Sequence, residues 1–171
     1  MKLVGPGAAP ICQTNGLPEI VRLAEGMTAM PDAAASPGHY AKQPDKSAYV
    51  RRILDIARPE QLPPFRIVVN SGNGCAGPVI DALAPHLPFE LIRLHHRPDG
   101  RFPNGVPNPL LPENRRDTSE AVIRQRAALG IAWDGDFDRC FFFDEKGRFI
   151  ESAYVVGLLA AAMLALHPGA A

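Results

Sequence analysis

Three aspartates alternate at Asp134, Asp136 and Asp138, and Arg139 follows them directly. At about 5 Å separation and an effective dielectric constant of about 20, each carboxylate pair repels by about 3 kcal/mol. A cation among the acids would remove this repulsion, and all-oxygen ligands favour Mg²⁺, with Mn²⁺ or Ca²⁺ as alternatives. The planar guanidinium of Arg139 is suited to hold a phosphate beside the metal. The spacing therefore indicates a cation and phosphate site, with a solvated acidic turn as the alternative.

Two other kinds of loop share part of this spacing. A calcium loop between two helices needs Gly at its sixth position, where this chain has Arg139, and an apolar strand-like run follows. A haloacid-dehalogenase-type phosphatase would use Asp134 as nucleophile and Asp136 as acid/base. That family has Thr or Val where Asp138 stands, and the remainder at 139–171 is too short for its downstream lysine and acidic pair. Both alternatives fit less well than a Mg²⁺ site.

The elements that position the acids alternate between strand and helix from residue 65 onward. The residue patterns predict strands at 65–70, 89–94 and 130–133, helices at 76–87 and 113–129, and a hairpin of 140–143 with 148–150. This order predicts an α/β fold with three α/β/α layers and a mixed, partly parallel sheet. Ligands of such sheets gather at the carboxyl ends of the strands, which here lead into 71–74 and 134–139.

Smaller features of these loops carry expectations of their own. The Ser-Gly-Asn-Gly turn at 71–74 is predicted to be a structural turn, with a phosphate cradle as the alternative. His95 and His96 are neighbours on a strand and point to opposite faces, so we expect no joint metal site. Cys140 is predicted to be buried in a strand and unreactive.

Composition excludes several classes of function. The chain has 171 residues, about one domain, with 18 basic and 18 acidic side chains, so nothing draws it to nucleic acid or to a membrane surface. Three well-separated cysteines argue against a disulfide scaffold and favour the reducing cytoplasm. The apolar run at 153–166 is shorter than the roughly 20 residues of a membrane span, so we expect a buried or partner-covered helix there.

The first sixty residues are predicted to be a connector more than a domain. A helix is expected around 17–24 with Asn15 or Thr14 as its cap, followed by an exposed loop at 30–44. A second amphipathic helix at 47–57 is expected to end at the Arg58-Pro59 step.

Further phrases along the chain accompany the acidic loop. They are Asn-Gly-Cys-Ala-Gly at 73–77, Asp-Gly-Arg-Phe-Pro-Asn-Gly at 99–105, Pro-Asn-Pro-Leu at 107–110 and Phe-Asp-Glu-Lys-Gly at 143–147. Together with Asp-Gly-Asp-x-Asp-Arg after a short strand, they make residues 2–166 resemble the α-D-phosphohexomutase family, in its bacterial phosphomannomutase branch. That branch feeds GDP-mannose synthesis for surface polysaccharides. Phe137 occupies the variable place of the loop, and Gly105 stands where many members have His.

The resemblance implies an activity and residue roles. In this family four domains surround a cleft, and a phosphoserine exchanges its phosphoryl group with the sugar through a bisphosphate intermediate. The implied reaction is that of a phosphomannomutase, which interconverts mannose 6-phosphate and mannose 1-phosphate. Asp134, Asp136 and Asp138 would hold Mg²⁺, Arg139 would contact the phosphoryl group, and Lys2 would be a general acid/base. The implied partners are hexose phosphate and the remaining domains of the enzyme.

The family's Thr-Ala-Ser-His-Asn-Pro phosphoserine loop does not occur in this sequence. The resemblance therefore predicts a fragment in which residues 1–46 end domain 1, 47–151 form the metal-binding domain 2, and 152–171 begin domain 3. We expect the chain alone to lack mutase activity. The alternative is a stand-alone, non-enzymatic α/β module that binds a divalent metal.

Overall fold

The chain divides into two compact units, Met1–Gln43 and Pro44–Ala171. The structure, a computed structural model, describes residues 3–28, 38–42 and 45–169, so most of the predicted loop at 30–44 lies outside it. The first unit contains helix α1 (Leu17–Glu25), whose N-cap is Gly16 without a side-chain bond. The predicted cap was wrong, because the Asn15 side chain closes the preceding turn by accepting from the Cys12 amide at 2.8 Å.

The second unit follows the predicted alternation of strands and helices. Its elements are α2 (Ser47–Ala57), β1 (Arg66–Asn70), α3 (Ala76–Leu83), β2 (Glu90–Leu94), α4 (Arg116–Gln125), β3 (Leu129–Trp133), β4 (Cys140–Phe143), β5 (Phe149–Ile150) and α5 (Ser152–Leu166). The predicted end of α2 is confirmed, since Arg58 adopts a left-handed conformation with φ 48° immediately before a proline.

The five strands form one mixed sheet in the order β2-β1-β3-β4-β5. Strand β1 runs parallel to β2 and β3, whereas β4 and β5 are antiparallel to their neighbours. Asn70 at the end of β1 is in register with Leu94 of β2 and Ala132 of β3. The carboxyl ends of the three parallel strands therefore meet at one edge, as the α/β pattern predicted.

The sheet is covered on both faces, which confirms the three-layer α/β/α prediction. Alternate residues of β1 divide between two cores, because successive side chains of a strand point to opposite faces. Val68 packs with α4 residues Ala121 and Val122, and the fully buried Phe143 joins this cluster. The opposite cluster is built on α3 and comprises Ile67, Val69, Ala76 and Ile80.

Two helices are shorter than predicted. Helix α3 ends at Leu83 and continues as a 3₁₀ turn, Ala84–His86, because Pro85 has no N–H to extend the α-helical ladder. Helix α4 begins only at Arg116 and ends where Arg126 turns left-handed at φ 50°. A separate 3₁₀ turn, Pro112–Asn114, precedes it, and the guanidinium of Arg115 lies 3.6 Å from the centroid of the Phe149 ring.

Helix α5 contains no buried residue, so of the two predicted forms the buried helix is wrong and the partner-covered helix stays a prediction. Leu158, for example, is 72% exposed and Tyr154 is 76% exposed. A membrane-spanning helix is not found either, since every helix in the described part of the chain is too short or too polar for one.

A buried polar pair ties β1 to α4 just beneath the edge where the strands end. The Asn70 amide donates to the Thr118 hydroxyl at 2.9 Å, and its carbonyl oxygen accepts from the Gly72 N–H at 2.9 Å. Asn70 is 7% exposed and Thr118 is fully buried.

The Thr118→Val variant is expected to lose about 1–3 kcal/mol of unfolding free energy, because the Asn70 amide would stay buried without an acceptor. Urea denaturation followed by circular dichroism measures this loss. Thr118→Ser keeps the hydroxyl and serves as the matched control. Equal stability of the valine and serine variants would contradict the importance of this bond.

Candidate metal centre

The three aspartates lie together directly beyond β3. Asp134 is 2% exposed, whereas Asp136 and Asp138 are exposed to solvent. One carboxylate oxygen from each lies within 4.8 Å of the others. Two oxygens on one Mg²⁺ ion are at most about 4.2 Å apart, and on one Ca²⁺ ion about 5.2 Å. The donor set therefore fits one hard cation, with small side-chain rotations needed for Mg²⁺.

Arg139 compensates the charge of the buried Asp134. Its Nε and Nη2 both lie 2.8 Å from Asp134 Oδ2, and its backbone N–H donates to Asp134 Oδ1 at 3.1 Å. Its Nε is also 3.6 Å from Asp138 Oδ1. A buried carboxylate is tolerated when it is paired and hydrogen-bonded in this way. Oδ2 faces two guanidinium nitrogens, whereas Oδ1 accepts only the backbone N–H and keeps a further lone pair with which Asp134 can bind a cation.

The structure thus brings four of the five predicted site residues into one cluster: Asp134, Asp136, Asp138 and Arg139. The fifth predicted residue, Lys2, lies outside the described residues.

The turn between β1 and α3 supports the acidic loop from one side. The Cys75 N–H donates to the Gly135 carbonyl at 3.0 Å. A Cβ on Gly74 would lie only 2.4 Å from that same oxygen, so the two backbones approach closely because residue 74 is glycine. The contact fixes the loop at the residue between Asp134 and Asp136.

This turn is structural, as predicted, and its amides are not available to cradle a phosphate. In chain order, the N–H groups of residues 71–75 donate to Leu94 O, Asn70 Oδ1, His95 O, Ser71 O and Gly135 O. Because all five amides donate within the fold, an anion at this edge must be held by side chains.

The proline-rich loop after β2 holds the turn from the other side. The Asn104 amide donates to Asn73 Oδ1 at 2.9 Å, and the Asp99 N–H donates to the Asn73 carbonyl at 2.8 Å. Asn73 in turn donates to the Arg97 carbonyl at 2.9 Å. The bond between these two asparagines was not predicted. In the sequence, each of these asparagines lies in a Gly-containing phrase. Such a phrase predicts a polar turn but does not indicate that the two turns are in contact.

The two adjacent histidines have separate partners. His95 Nε2 lies 2.8 Å from Asp117 Oδ2 on α4, and His96 Nε2 lies 2.9 Å from Asp81 Oδ2 on α3. The hydrogen bond from His96 lowers the pKa of Asp81, and the nearby Arg93 adds to this effect. The two rings therefore face opposite sides of the sheet and share no metal site, as expected, but the predicted strand is wrong for them, because both lie beyond β2 and His95 has a φ of 42°.

Cys140 departs from its prediction, because it is exposed at the first residue of β4. It pairs with Trp133 at the end of β3, where the sheet opens toward the acidic loop. Its sulfur is nonetheless shielded by neighbouring atoms, and this desolvation raises the pKa of the thiol to about 11. The thiol therefore stays protonated at neutral pH. Because the thiolate is the reactive form, we expect Cys140 to be unreactive.

Comparison with known proteins identifies this arrangement. Residues 47–147 match the family model described as phosphoglucomutase/phosphomannomutase, alpha/beta/alpha domain II. A phosphomannomutase from Salmonella montevideo is 54% identical in an alignment 175 residues long that includes 99% of this chain. Phosphohexose mutases from Xanthomonas campestris pv. campestris are 53% identical over 169 residues, again 99% of the chain. The chain spans 38% and 37% of the lengths of these two relatives.

A solved structure agrees with the sequence relatives. The phosphoglucomutase/phosphomannomutase family protein from Burkholderia thailandensis superposes with a TM-score of 0.71 at 35% identity, covering 79% of this chain and 29% of that one. The chain belongs to the phosphoglucomutase/phosphomannomutase family, and its second compact unit contains the α/β/α domain II of that family.

Proposed function

We propose that this chain supplies the Mg²⁺-binding domain of a phosphomannomutase, which interconverts mannose 6-phosphate and mannose 1-phosphate through a phosphoserine and a bisphosphate intermediate. The observation that carries the proposal is the cluster of three carboxylates within 4.8 Å at the carboxyl edge of the sheet. The identity of 54% to a phosphomannomutase over nearly the whole chain supports the choice of substrate class.

The three aspartates have different tasks in this proposal. Asp134 is the rigid ligand, since it is buried and held by three contacts from Arg139. Asp136 and Asp138 are the solvent-side ligands. Mg²⁺ held by them would act as a Lewis acid that stabilises charge on a phosphoryl oxygen.

Arg139 is proposed to contact the phosphoryl group beside the metal. Its side chain is 47% exposed, and its guanidinium has five N–H donors, more than Asp134 and Asp138 take up. A planar, permanently charged fork of donors suits three phosphoryl oxygens. Because the amides of the neighbouring turn are already used, a cationic side chain such as Arg139 is needed to hold an anion beside the acids.

The remaining roles rest on the family resemblance. Lys2 is proposed as a general acid/base, and hexose phosphate as the substrate of the complete enzyme. Residues 1–46 are proposed to end domain 1, 47–151 to form domain 2, and 152–171 to begin domain 3. The phosphoserine loop is not in this sequence, so we propose that the chain alone has no mutase turnover.

A chimera tests the proposal. In it, residues 47–147 of this chain replace the corresponding segment of the Salmonella montevideo phosphomannomutase. We expect the chimera to convert mannose 1-phosphate into mannose 6-phosphate. Its Asp136→Asn variant is expected to lose activity by about 100-fold or more, since a metal ligand supplies several kcal/mol of charge stabilisation. Asp55→Asn, at an exposed carboxylate on α2, is the matched control and should keep activity.

Three outcomes separate the candidate functions. A chimera that folds and binds Mg²⁺ but gives no turnover would favour the non-enzymatic metal-binding module. Equal activity of the Asp136 and Asp55 variants would contradict the metal role of the acidic loop. Turnover by the purified 171-residue chain with mannose 1-phosphate and a bisphosphate activator would contradict its proposed inactivity.

A further inference from the structure

The backbone of the acidic loop is unusual at Phe137. Its φ is +67°, in the left-handed region that glycine adopts readily and that a bulky residue rarely enters. Such a conformation persists only where the surrounding structure holds it in place. Phe137 stands between two of the proposed metal ligands, so whatever holds it also holds them.

The ring of Phe137 is held in place by two sets of contacts. It lies edge-on to the Trp133 ring, with 5.7 Å between the centroids and 64° between the planes. It also packs against the core cluster on the α3 face of the sheet, which contains Ile67, Val69, Ala76 and Ile80. Edge-to-face aromatic pairs of this geometry are favourable beyond the area that they bury.

The carboxylates beside Phe137 depend on this anchor to different degrees. Asp134 is fixed by Arg139, and Asp138 lies 3.6 Å from the same guanidinium. The Asp136 carboxylate has no hydrogen bond or ion pair to any residue that the structure describes. Its place within the 4.8 Å cluster therefore follows from the backbone of the loop. That backbone is fixed at Phe137, whose N–H donates to the Asp134 carbonyl and whose ring contacts Trp133.

We propose that Phe137 is a positioning residue of the metal site, and that its ring, seated against Trp133, holds the left-handed turn that brings Asp136 to the other two carboxylates. The inference rests on the proposed function, because it takes the acidic loop to bind a divalent cation. Its basis in this chain is the aromatic contact and the left-handed φ of Phe137, a residue that is not itself a metal ligand.

Two substitutions separate the ring from the backbone. Asn adopts the left-handed region more easily than Phe but has no ring, whereas Tyr keeps the ring. We expect Phe137→Asn to weaken Mn²⁺ binding by about 10- to 100-fold, as is usual when a group that orients metal ligands is lost. Phe137→Tyr is expected to bind like the parent chain.

The readouts are direct binding measurements. Trp133 is the only tryptophan in the sequence, so its fluorescence reports on Mn²⁺ at the loop, and calorimetry with Mg²⁺ gives an independent value. Phe89→Ala is the matched control, because it removes a ring that packs against the same core cluster but stacks on Phe65 instead. We expect it to lower the melting temperature and leave the metal affinity unchanged.

Each result decides the inference. Parent-like affinity of Phe137→Asn, or equal losses in Phe137→Asn and Phe89→Ala, would overturn the positioning role while leaving the metal site in place. Absence of binding in the parent chain would overturn the metal site itself and the inference with it. Weakened binding in Phe137→Asn alone, with circular dichroism showing a folded protein, would support the inference.

Discussion

The Asp134→Asn variant is expected to bind Mg²⁺ and Mn²⁺ at least about 100-fold more weakly than the parent chain, because metal binding requires deprotonated carboxylates and Asn removes the charge. Asp134 is the buried member of the cluster and is held by three contacts from Arg139, so no flexible neighbour can replace it. Calorimetry with Mg²⁺ and the quenching of Trp133 fluorescence by Mn²⁺ measure the change.

Asp144→Asn is the control for this variant. Asp144 accepts from Arg148 Nε at 2.7 Å, much as Asp134 accepts from Arg139 Nε at 2.8 Å. It lies beyond the far end of β4, away from the acidic cluster. Both variants lose the negative partner of an arginine, but only one loses a metal ligand. Equal metal affinities for the two variants would contradict the assignment of Asp134.

The Gly77→Ala variant is expected to destabilise the second unit by at least about 3 kcal/mol, because the added carbon overpacks a buried contact. Its Cβ would lie 2.0 Å from the His96 carbonyl oxygen and 3.2 Å from the carbonyl carbon. These are backbone atoms just beyond β2, so they cannot move aside as a flexible side chain would. A thermal melt is expected to show a decrease of about 10 °C.

Gly157→Ala supplies the comparison within a helix of the same unit. A Cβ on Gly157 in α5 meets no atom within 4 Å. Alanine in a helix interior is favoured over glycine by about 0.5–1 kcal/mol, so this variant should be as stable as the parent or slightly more stable. If Gly77→Ala melts at the same temperature as Gly157→Ala, the close approach of α3 to residue 96 is not present in solution.

Much of the second unit could be predicted from sequence because its signals are local. The apolar residues of β1, Ile67 to Val69, are followed by a Gly-containing turn, and the acids follow β3 at once. Strand alternation and the rule that parallel strands end at one edge then place the two loops together. The clustering of the three aspartates and Arg139 could be predicted with no tertiary information beyond that rule.

The details that failed depend on contacts between distant parts of the chain. Cys140 has the apolar neighbours of a buried strand residue, but its place at the exposed end of β4 is set by pairing with Trp133. A 3₁₀ turn stands where the start of helix α4 was predicted, and Arg115 beside it stacks on Phe149, which lies far along the sequence. Asn73 and Asn104 are bonded across two loops. Local residue patterns contain no information on such pairings.

The acidic loop connects β3 and β4, whose antiparallel pairing joins Trp133 to Cys140 at its two ends. Folding of the sheet thus closes the loop and removes most of its conformational entropy before any ligand arrives. A ligand that meets ends already fixed loses little further entropy on binding. The loop is therefore preorganised for its ligand by the same strand pairing that builds the sheet.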